Sequence, residues 1–438
     1  MREKNMGLLP CPLPCNSHTA ISSDHHHLHS ESSSSLSSQS SLPSVPSLTP
    51  PPQPSHPPDQ SPAPARHRCV ATFSSHSSYI SSLALAGKSL FSGSSDGEVR
   101  AWARSPSGSD AGRAEAVAAA AASTSAVKSV VARGDKLFTA HQDHKIRVWR
   151  IDAEGRYRLA ASLPTVTDRL ARLFSAKNYV EVRRHKKCTW VHHVDAVSSL
   201  ALTYDGSVLY SASWDRSFKA WRVSDFRCME SVERAHDDAI NAVVVSRDGL
   251  VYTGSADRKI KVWRKEGHQR THALVATLEQ HRSAVNALAL SEDGCILYSG
   301  ACDRSILVWE KVQDGERSRE PDGGSEGGEH CMVVVGALRG HTKAILCLAV
   351  AGDVVCSGSA DHTVRVWRRR EGEEDRRYSC LAVCEGHAKP VKCLAASVDV
   401  DGDGDGGSHS GRSGTRCLVY SGGLDCKIKV WRIWVPHL

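Results

Sequence analysis

Short apolar runs recur through residues 69–433, each set off by polar turn residues. Runs such as AVNALAL (284–290) and AILCLAV (344–350) have the length of buried strands. Other short strands precede the repeats, among them RCVATF (68–73) and HALVATL (272–278). The polar and aromatic positions repeat more strictly than the apolar ones. Seven segments end alike: SGSSDGEVRAW (92–102), TAHQDHKIRVW (139–149), SASWDRSFKAW (211–221), TGSADRKIKVW (253–263), SGACDRSILVW (299–309), SGSADHTVRVW (357–367) and SGGLDCKIKVW (421–431). In each, Ser or Thr is followed four residues on by Asp, and the Asp six residues on by Trp. Such self-similarity identifies an array of like structural units and decides the fold before any single motif does.

The recurrent residues are Ser92, Asp96 and Trp102; Thr139, Asp143 and Trp149; Ser211, Asp215 and Trp221; Thr253, Asp257 and Trp263; Ser299, Asp303 and Trp309; Ser357, Asp361 and Trp367; and Ser421, Asp425 and Trp431. A histidine stands four residues before the β-branched residue that opens each following strand: His76, His193, His236, His281, His341 and His387. The second repeat has Ser123 at that position. The repeats run over about 76–102, 123–149, 193–221, 236–263, 281–309, 341–367 and 387–431.

This pattern resembles the WD40 repeat family. The resemblance implies an all-β fold, a seven-bladed WD40 β-propeller of four-stranded blades over residues 67–434. It also implies that the His, Ser/Thr, Asp and Trp of a repeat form one hydrogen-bonded relay. A buried Asp needs donors, and such a relay satisfies every member. Blade 2, with Ser123 in place of His, is expected to be the weakest. No repeat has Asp after its Trp, which departs from the family pattern. The chain stops soon after Trp431, so RCVATF is expected to supply the missing outer strand and close the ring.

Residues 1–66 differ in kind. They hold 13 of the 18 prolines and runs such as SESSSSLSSQSS, too little apolar surface to offset the entropy of ordering. We read them as a disordered Ser/Pro/His-rich tail with polyproline II character near 50–58. Thr49 and Ser61, each before Pro, are candidate phosphorylation sites in it.

Composition narrows the function. The 438-residue chain has a net charge of +7, too mild by itself to imply nucleic-acid binding. It contains no apolar run long enough for a membrane span and no secretory leader pattern. Fifteen scattered cysteines point to reduced thiols in a cytoplasmic and nuclear protein rather than a disulfide framework or zinc site. AGKS (86–89) lacks the Gly that a phosphate loop needs, because Ser82 stands there. DVDGDGDGG (399–407) opens like a calcium loop, but Ser410 replaces the closing Glu and no helices flank it. The polar stretch 314–330 reads as an insertion. No nucleophile, metal set or cofactor cradle emerges, so the expectation is a non-enzymatic protein without cofactor, nucleic acid or membrane partner.

One insertion stands out. From Trp to the next His takes 15 residues after Trp221 and 18 after Trp263, but 44 after Trp149. With YRLAASL (157–163) as the outer strand, residues 164–190 are extra and leave from the face that carries the His and Asp turns. Thr167 is expected to cap a short helix, DRLARLF, in which Leu170, Leu173 and Phe174 share a face and Arg169 and Arg172 lie opposite. A half-exposed strand at 179–183 follows, then the basic run RRHKK and Trp190. The basic run fits a solvated loop, a contact surface or an import signal. LPTVTDRLARLFSAKNYVEVRRHKKCTW, ahead of a propeller and behind a Ser/Pro-rich tail, resembles plant WD40 proteins of the JINGUBANG type. That resemblance implies a plant regulatory scaffold, with restraint of pollen germination as the role of the named member.

Candidate partner-binding residues on the turn face are Tyr79, Arg183, Arg184, Lys186, Lys187, Trp190, Trp214, Asp237, Arg282, Lys343 and Lys389. Trp214, a large aromatic just before a turn Asp, is a binding anchor by type or packs on the insertion. The expected function is a monomeric scaffold for regulatory proteins. A substrate receptor of a cullin-type ubiquitin ligase is the alternative, although no repeat carries the Trp-Asp-x-Arg adaptor box.

Overall fold

The computed structural model describes residues 45–49, 66–104, 114–116, 125–152, 156–173, 179–183, 186–265, 271–312, 332–370, 377–398 and 414–436. Seven four-stranded antiparallel sheets form the blades of a β-propeller. Blade 1 contains Ile80–Ala86, Ser89–Ser94, Val99–Ala103 and Ala114–Ala116. Blade 2 contains Val127–Arg133, Lys136–His141, Ile146–Ile151 and Tyr157–Leu163. Blade 3 contains Val197–Leu202, Val208–Ser213, Phe218–Arg222 and Cys228–Val232. Blade 4 contains Ile240–Val245, Val251–Ser255, Ile260–Lys265 and His272–Leu278. Blade 5 contains Val285–Leu290, Ile296–Ala301, Ile306–Lys311 and Met332–Leu338. Blade 6 contains Ile345–Ala351, Val354–Ser359, Val364–Arg369 and Tyr378–Cys384.

Blade 7 combines the two ends of the repeat array. Val391–Val398, Gly414–Gly423 and Ile428–Pro436 are joined by Arg66–Phe73, which pairs antiparallel with the last strand. The sequence expectation of ring closure by RCVATF is met, with Cys69 opposite Trp431 and Phe73 opposite Ile428. Closure gives blade 7 its fourth, outer strand, and Phe73 stacks on Trp102 of blade 1 with centroids 4.8 Å apart.

Second strands are buried almost throughout, because each is covered on both faces by neighbouring blades; Val354–Ser359 is buried at all six positions. That is why their sequences read as continuous small and apolar runs. Polar side chains on the innermost strands bind each blade to the next. Ser81 donates to the Val127 carbonyl, Asn241 to Val285 and Asn286 to Ile345, at 2.7, 3.0 and 2.8 Å. In blade 2 the matching residue is Lys128, and its ammonium lies 5.1 Å from the Trp214 ring of blade 3. A cation–π contact stands there in place of a hydrogen-bonded stitch.

The insertion differs in detail from its sequence reading. Its helix runs from Val166 to Leu173, and the capping hydroxyl is Thr165, which accepts the Asp168 N–H at 3.2 Å. Thr167 lies inside the helix, two residues too late to cap it. Leu170, on the apolar face of that helix, is 51% exposed. Among the helix side chains described, Asp168 is the buried one, and its Oδ2 accepts the Cys228 N–H at 2.8 Å. The helix is thereby tied by a carboxylate to the outer strand of blade 3. Beyond it, Tyr179–Arg183 and Lys186–Thr189 pair as a separate hairpin. The chain re-enters blade 3 through Val191, which is fully buried.

Residues 45–49, read from sequence as part of the tail, lie against blade 5. Leu48 N–H donates to the Ala337 carbonyl, and Ala337 N–H to the Pro46 carbonyl, both at 2.9 Å. The candidate loops 314–330 and 399–407 fall outside the described residues. Gly87, within AGKS, turns between two antiparallel strands with φ of 54°, a conformation glycine adopts freely. Among the described residues, no helix is long and apolar enough to cross a membrane.

Candidate functional site

The face of interest is made by the turns that join second to third strands and by the loops that lead into the next blade. Each turn is organised by its Asp. In the six repeats with the His, one carboxylate oxygen accepts from His Nδ1 at 2.8–3.2 Å. The same oxygen accepts the backbone N–H of the residue after the His, as Asp215 does from Val194 at 2.9 Å. The other oxygen takes the N–H two residues beyond the Asp, as Asp215 does from Ser217 at 2.9 Å. The turn thus fastens the incoming loop to the blade at a fixed place.

Chemistry fixes the proton positions. The Trp indole N–H only donates, and it reaches the Ser or Thr hydroxyl at 2.8–2.9 Å in these six blades. That hydroxyl then gives its proton to His Nε2, 2.7–2.8 Å away. Nδ1 is left carrying the proton it donates to Asp. Every polar atom of the chain of four is occupied, so these residues offer nothing to a substrate. Burial pushes the Asp303 carboxyl up, but hydrogen bonds from His281 and Ser305 outweigh it and hold the group at about 2. Asp96, Asp215, Asp257, Asp361 and Asp425 are likewise held below the usual carboxylate value against burial.

Capturing the N–H two residues on forces the intervening residue into the left-handed region. Arg216, Arg258 and Arg304 have φ of 70°, 74° and 69°, whereas blade 1 uses Gly97 there. Their side chains are exposed on the turn face.

Blade 2 solves the missing histidine differently. Ser123 lies outside the described residues. His141, on the same strand as Thr139, places Nε2 2.8 Å from the Thr139 hydroxyl, and Nδ1 donates to the Ser125 carbonyl at 3.2 Å. Trp149 still reaches Thr139 at 3.0 Å. Asp143 loses its imidazole and pairs with Arg147 at 2.6 Å, while its own N–H finds the Ser125 hydroxyl at 2.9 Å. In blades 1, 3, 4 and 6 a Ser sits where His141 does and serves that N–H. Ser125 and His141 have therefore exchanged duties. Burial, reinforced by Arg147, lowers the His141 imidazole to about 4. His141 is inconspicuous in the sequence because it follows Thr139 on the same strand, whereas the other relay histidines stand ahead of their blade's first strand.

A trio of ligand-type residues, His76, Asp96 and Glu98, has donor atoms within 4.8 Å of one another. Each is already engaged: His76 with Ser92 and Asp96, and Glu98 with Arg100 at 2.6 Å. The set fits a closed structural network better than a cation site.

The candidate partner residues fall into three groups. Asp237, Arg282, Lys343 and Lys389 are exposed in the loops just after the relay histidines, and Tyr79 is half-buried in the corresponding loop of blade 1. Trp214 is half-buried at the blade 3 turn, with Lys128 as its ring neighbour. Arg183, Lys186 and Lys187 belong to the insertion hairpin, whose register sets Arg183 opposite Lys186 and Glu181 opposite Lys187. Arg184 lies outside the described residues. Trp190 is part of the packing instead: it lies against the cluster of Leu163, Val191 and Trp221, and its carbonyl accepts from Lys219 at 2.6 Å. Lys219 is buried, held also by Ser231 and by Glu233 at 3.0 Å, and it fastens the end of the insertion to blade 3.

Comparison with known proteins agrees with this geometry. The family model described as WD domain, G-beta repeat matches residues 67–103, 185–222, 227–264, 272–310, 332–368 and 378–432, more than half the chain. The stretch between 103 and 185, which contains blade 2 and its altered relay, falls between matches. The Arabidopsis thaliana protein ROOT INITIATION DEFECTIVE 3 is 28% identical over 41% of this chain and 40% of its own length. A Chlamydomonas reinhardtii protein named Ribosome biogenesis protein WDR12 homolog is 29% identical over 47% of this chain and 50% of its own. The chain spans half or less of these curated relatives. Seven closed blades, six complete relays and the family match together place the chain in the WD40 repeat family.

Proposed function

We propose that the protein is a non-enzymatic scaffold that receives a segment of a regulatory protein on the turn face of its propeller. WD40 propellers serve generally as protein-interaction scaffolds. The observation that carries the reading is the side-chain set on this face. Arg216, Arg258, Arg282, Arg304, Lys343 and Lys389 are exposed there around the half-buried Trp214. The exposed acids among the described residues of these loops are Asp195, Glu233, Asp237, Asp238, Glu279 and Glu385, of which Glu233 is paired with Lys219 and Glu279 with Lys259. A basic rim around an aromatic suits an acidic peptide with an apolar anchor. The relays leave no free catalytic group, and the rigid blades hold the loops in place.

The finer reading is a regulator of the plant JINGUBANG type, supported by the resemblance of the 164–190 insertion and of the Ser/Pro-rich tail. A photo-crosslinking amino acid tests the binding face. Placed at Lys343 or Tyr79 it should capture the partner, and placed at Lys88, at the opposite end of blade 1, it should not. Capture only from Lys88 would refute the reading.

A further inference from the structure

Residues 45–49, VPSLT, occupy a groove between the outer strands of blades 5 and 6. The segment runs parallel to Met332–Leu338, with Ser47 opposite Ala337. Besides the bonds that Pro46 and Leu48 make to Ala337, the Leu48 carbonyl accepts the Tyr378 N–H of blade 6 at 2.9 Å. Thr49 and Arg339 are hydrogen-bonded through hydroxyl, N–H and carbonyl at 3.3 Å, and the Arg339 guanidinium reaches the Val45 carbonyl at 3.2 Å. The Leu48 side chain is 9% exposed and joins a cluster with Tyr298, Val308, Leu338 and Tyr378.

The groove is built for this occupant. A Cβ on Gly336 would lie 2.5 Å from Leu48 Cγ and 3.0 Å from the Pro46 carbonyl oxygen. At the matching register position blades 2, 4, 6 and 7 carry Ala161, Ala276, Ala382 and Ala71, and blade 3 carries Glu230. The blade 3–4 groove shows the difference. There Glu230 itself accepts the His272 N–H, the counterpart of Tyr378 N–H, at 2.6 Å. In the blade 5–6 groove, with Gly336 at that position, the acceptor arrives from an added strand. Two cues mark this groove: an open slot at Gly336 and an outer-strand N–H served from outside the blade.

We propose that the blade 5–6 groove is a binding site for an extended peptide with an aliphatic anchor followed by Ser or Thr, and that residues 45–49 occupy it in cis as an exchangeable stand-in for such a segment of a partner. Strand addition supplies affinity through main-chain bonds, and the Leu48 slot supplies selectivity. One anchor and five residues make a small contact, held mainly because the tether keeps the segment close. A partner segment at comparable local concentration can displace it. This site lies at the outer edge of the ring, and its Thr49 end meets the turn face at Arg339, in the loop that leads to His341.

The probe is a labelled synthetic peptide of residues 43–52, PSVPSLTPPP, titrated into the full chain by fluorescence anisotropy. Leu48→Asp should empty the groove and bind the peptide about tenfold more tightly than the wild type, whose own segment competes. Leu48→Asp combined with Gly336→Val should bind none. In the wild type, millimolar peptide should speed hydrogen exchange at Leu48 N–H while Ala337 and Tyr378 stay protected; this readout holds even if a variant folds poorly. A folded Leu48→Asp chain that binds no peptide, or Leu48 exchange indifferent to added peptide, would overturn the proposal.

Discussion

His141 stands two residues after Thr139 on one strand, and its Nε2 lies 2.8 Å from the Thr139 hydroxyl. In the six blades with an upstream histidine the imidazole reaches the same hydroxyl from the preceding loop, as His236 reaches Thr253 across 17 residues. Blade 2 keeps the hydroxyl and the indole and recruits its imidazole locally. What it gives up is the tie between imidazole and turn Asp, which Arg147 replaces.

His141→Ala should therefore destabilise blade 2. Thr139 would keep Trp149 but lose a buried partner, at a cost of about 1–3 kcal/mol. Urea unfolding should show the loss, and hydrogen exchange should place it in Lys136–His141 and Ile146–Ile151.

Acid should act in two steps. The His141 imidazole is lowered from 6.5 to about 4, first by burial, so the folded state binds fewer protons than the unfolded chain between those values. Its share of stability is complete above pH 6.5 and is lost as pH falls toward 4. The turn carboxylates are also lowered, Asp303 from 3.8 to about 2, so their share is present above 3.8 and lost toward 2. Hydrogen exchange at pH 7 and pH 5 should show protection falling in blade 2 while blades 4 and 5 hold. Loss in all blades together at pH 5 would contradict this.

Phe73→Ala tests closure. The ring is 3% exposed and lies parallel to Trp102 across the junction of blades 7 and 1. Its removal should cost about 3–5 kcal/mol. Thermal unfolding should reveal the drop, with protease cutting first near Arg66–Phe73.

Asp168→Ala should loosen the insertion without harming the ring. It leaves the Cys228 N–H, at the start of a buried strand position, without its acceptor, a cost of about 1–3 kcal/mol. Limited proteolysis should cut within 164–190 sooner than in the wild type. Asp168→Asn, which keeps an acceptor oxygen, should recover most of the protection.

The fold was legible because its determinants recur. Ser299, Asp303 and Trp309 have the same spacing as six other sets, and a hydrogen-bonded relay tolerates little change in that spacing. RCVATF could be assigned to blade 7 because a ring needs equal strand numbers. Features that occur once were harder to read. Asp168 looks like an ordinary acid in the first turn of a helix, and only the nearby Cys228 N–H makes it a buried anchor. Leu48 is one apolar residue within a Ser/Pro-rich stretch, and its slot depends on a glycine almost 300 residues away. Trp190 reads as a surface aromatic until Lys219 and the blade 3 core enclose it.

Trp214→Ala should leave stability nearly intact, since the ring is half-buried and its contact with Lys128 contributes about 1 kcal/mol. Combined with Lys343→Glu and Lys389→Glu, it is the most direct test of the turn-face scaffold. Affinity capture followed by mass spectrometry should compare this triple variant with wild type and with a Lys88→Glu, Arg247→Glu chain altered at the opposite face. The scaffold reading predicts that the triple variant, still folded by circular dichroism, loses its specific partner while the opposite-face variant keeps it. Retention by the triple variant with loss from the opposite-face variant would contradict it.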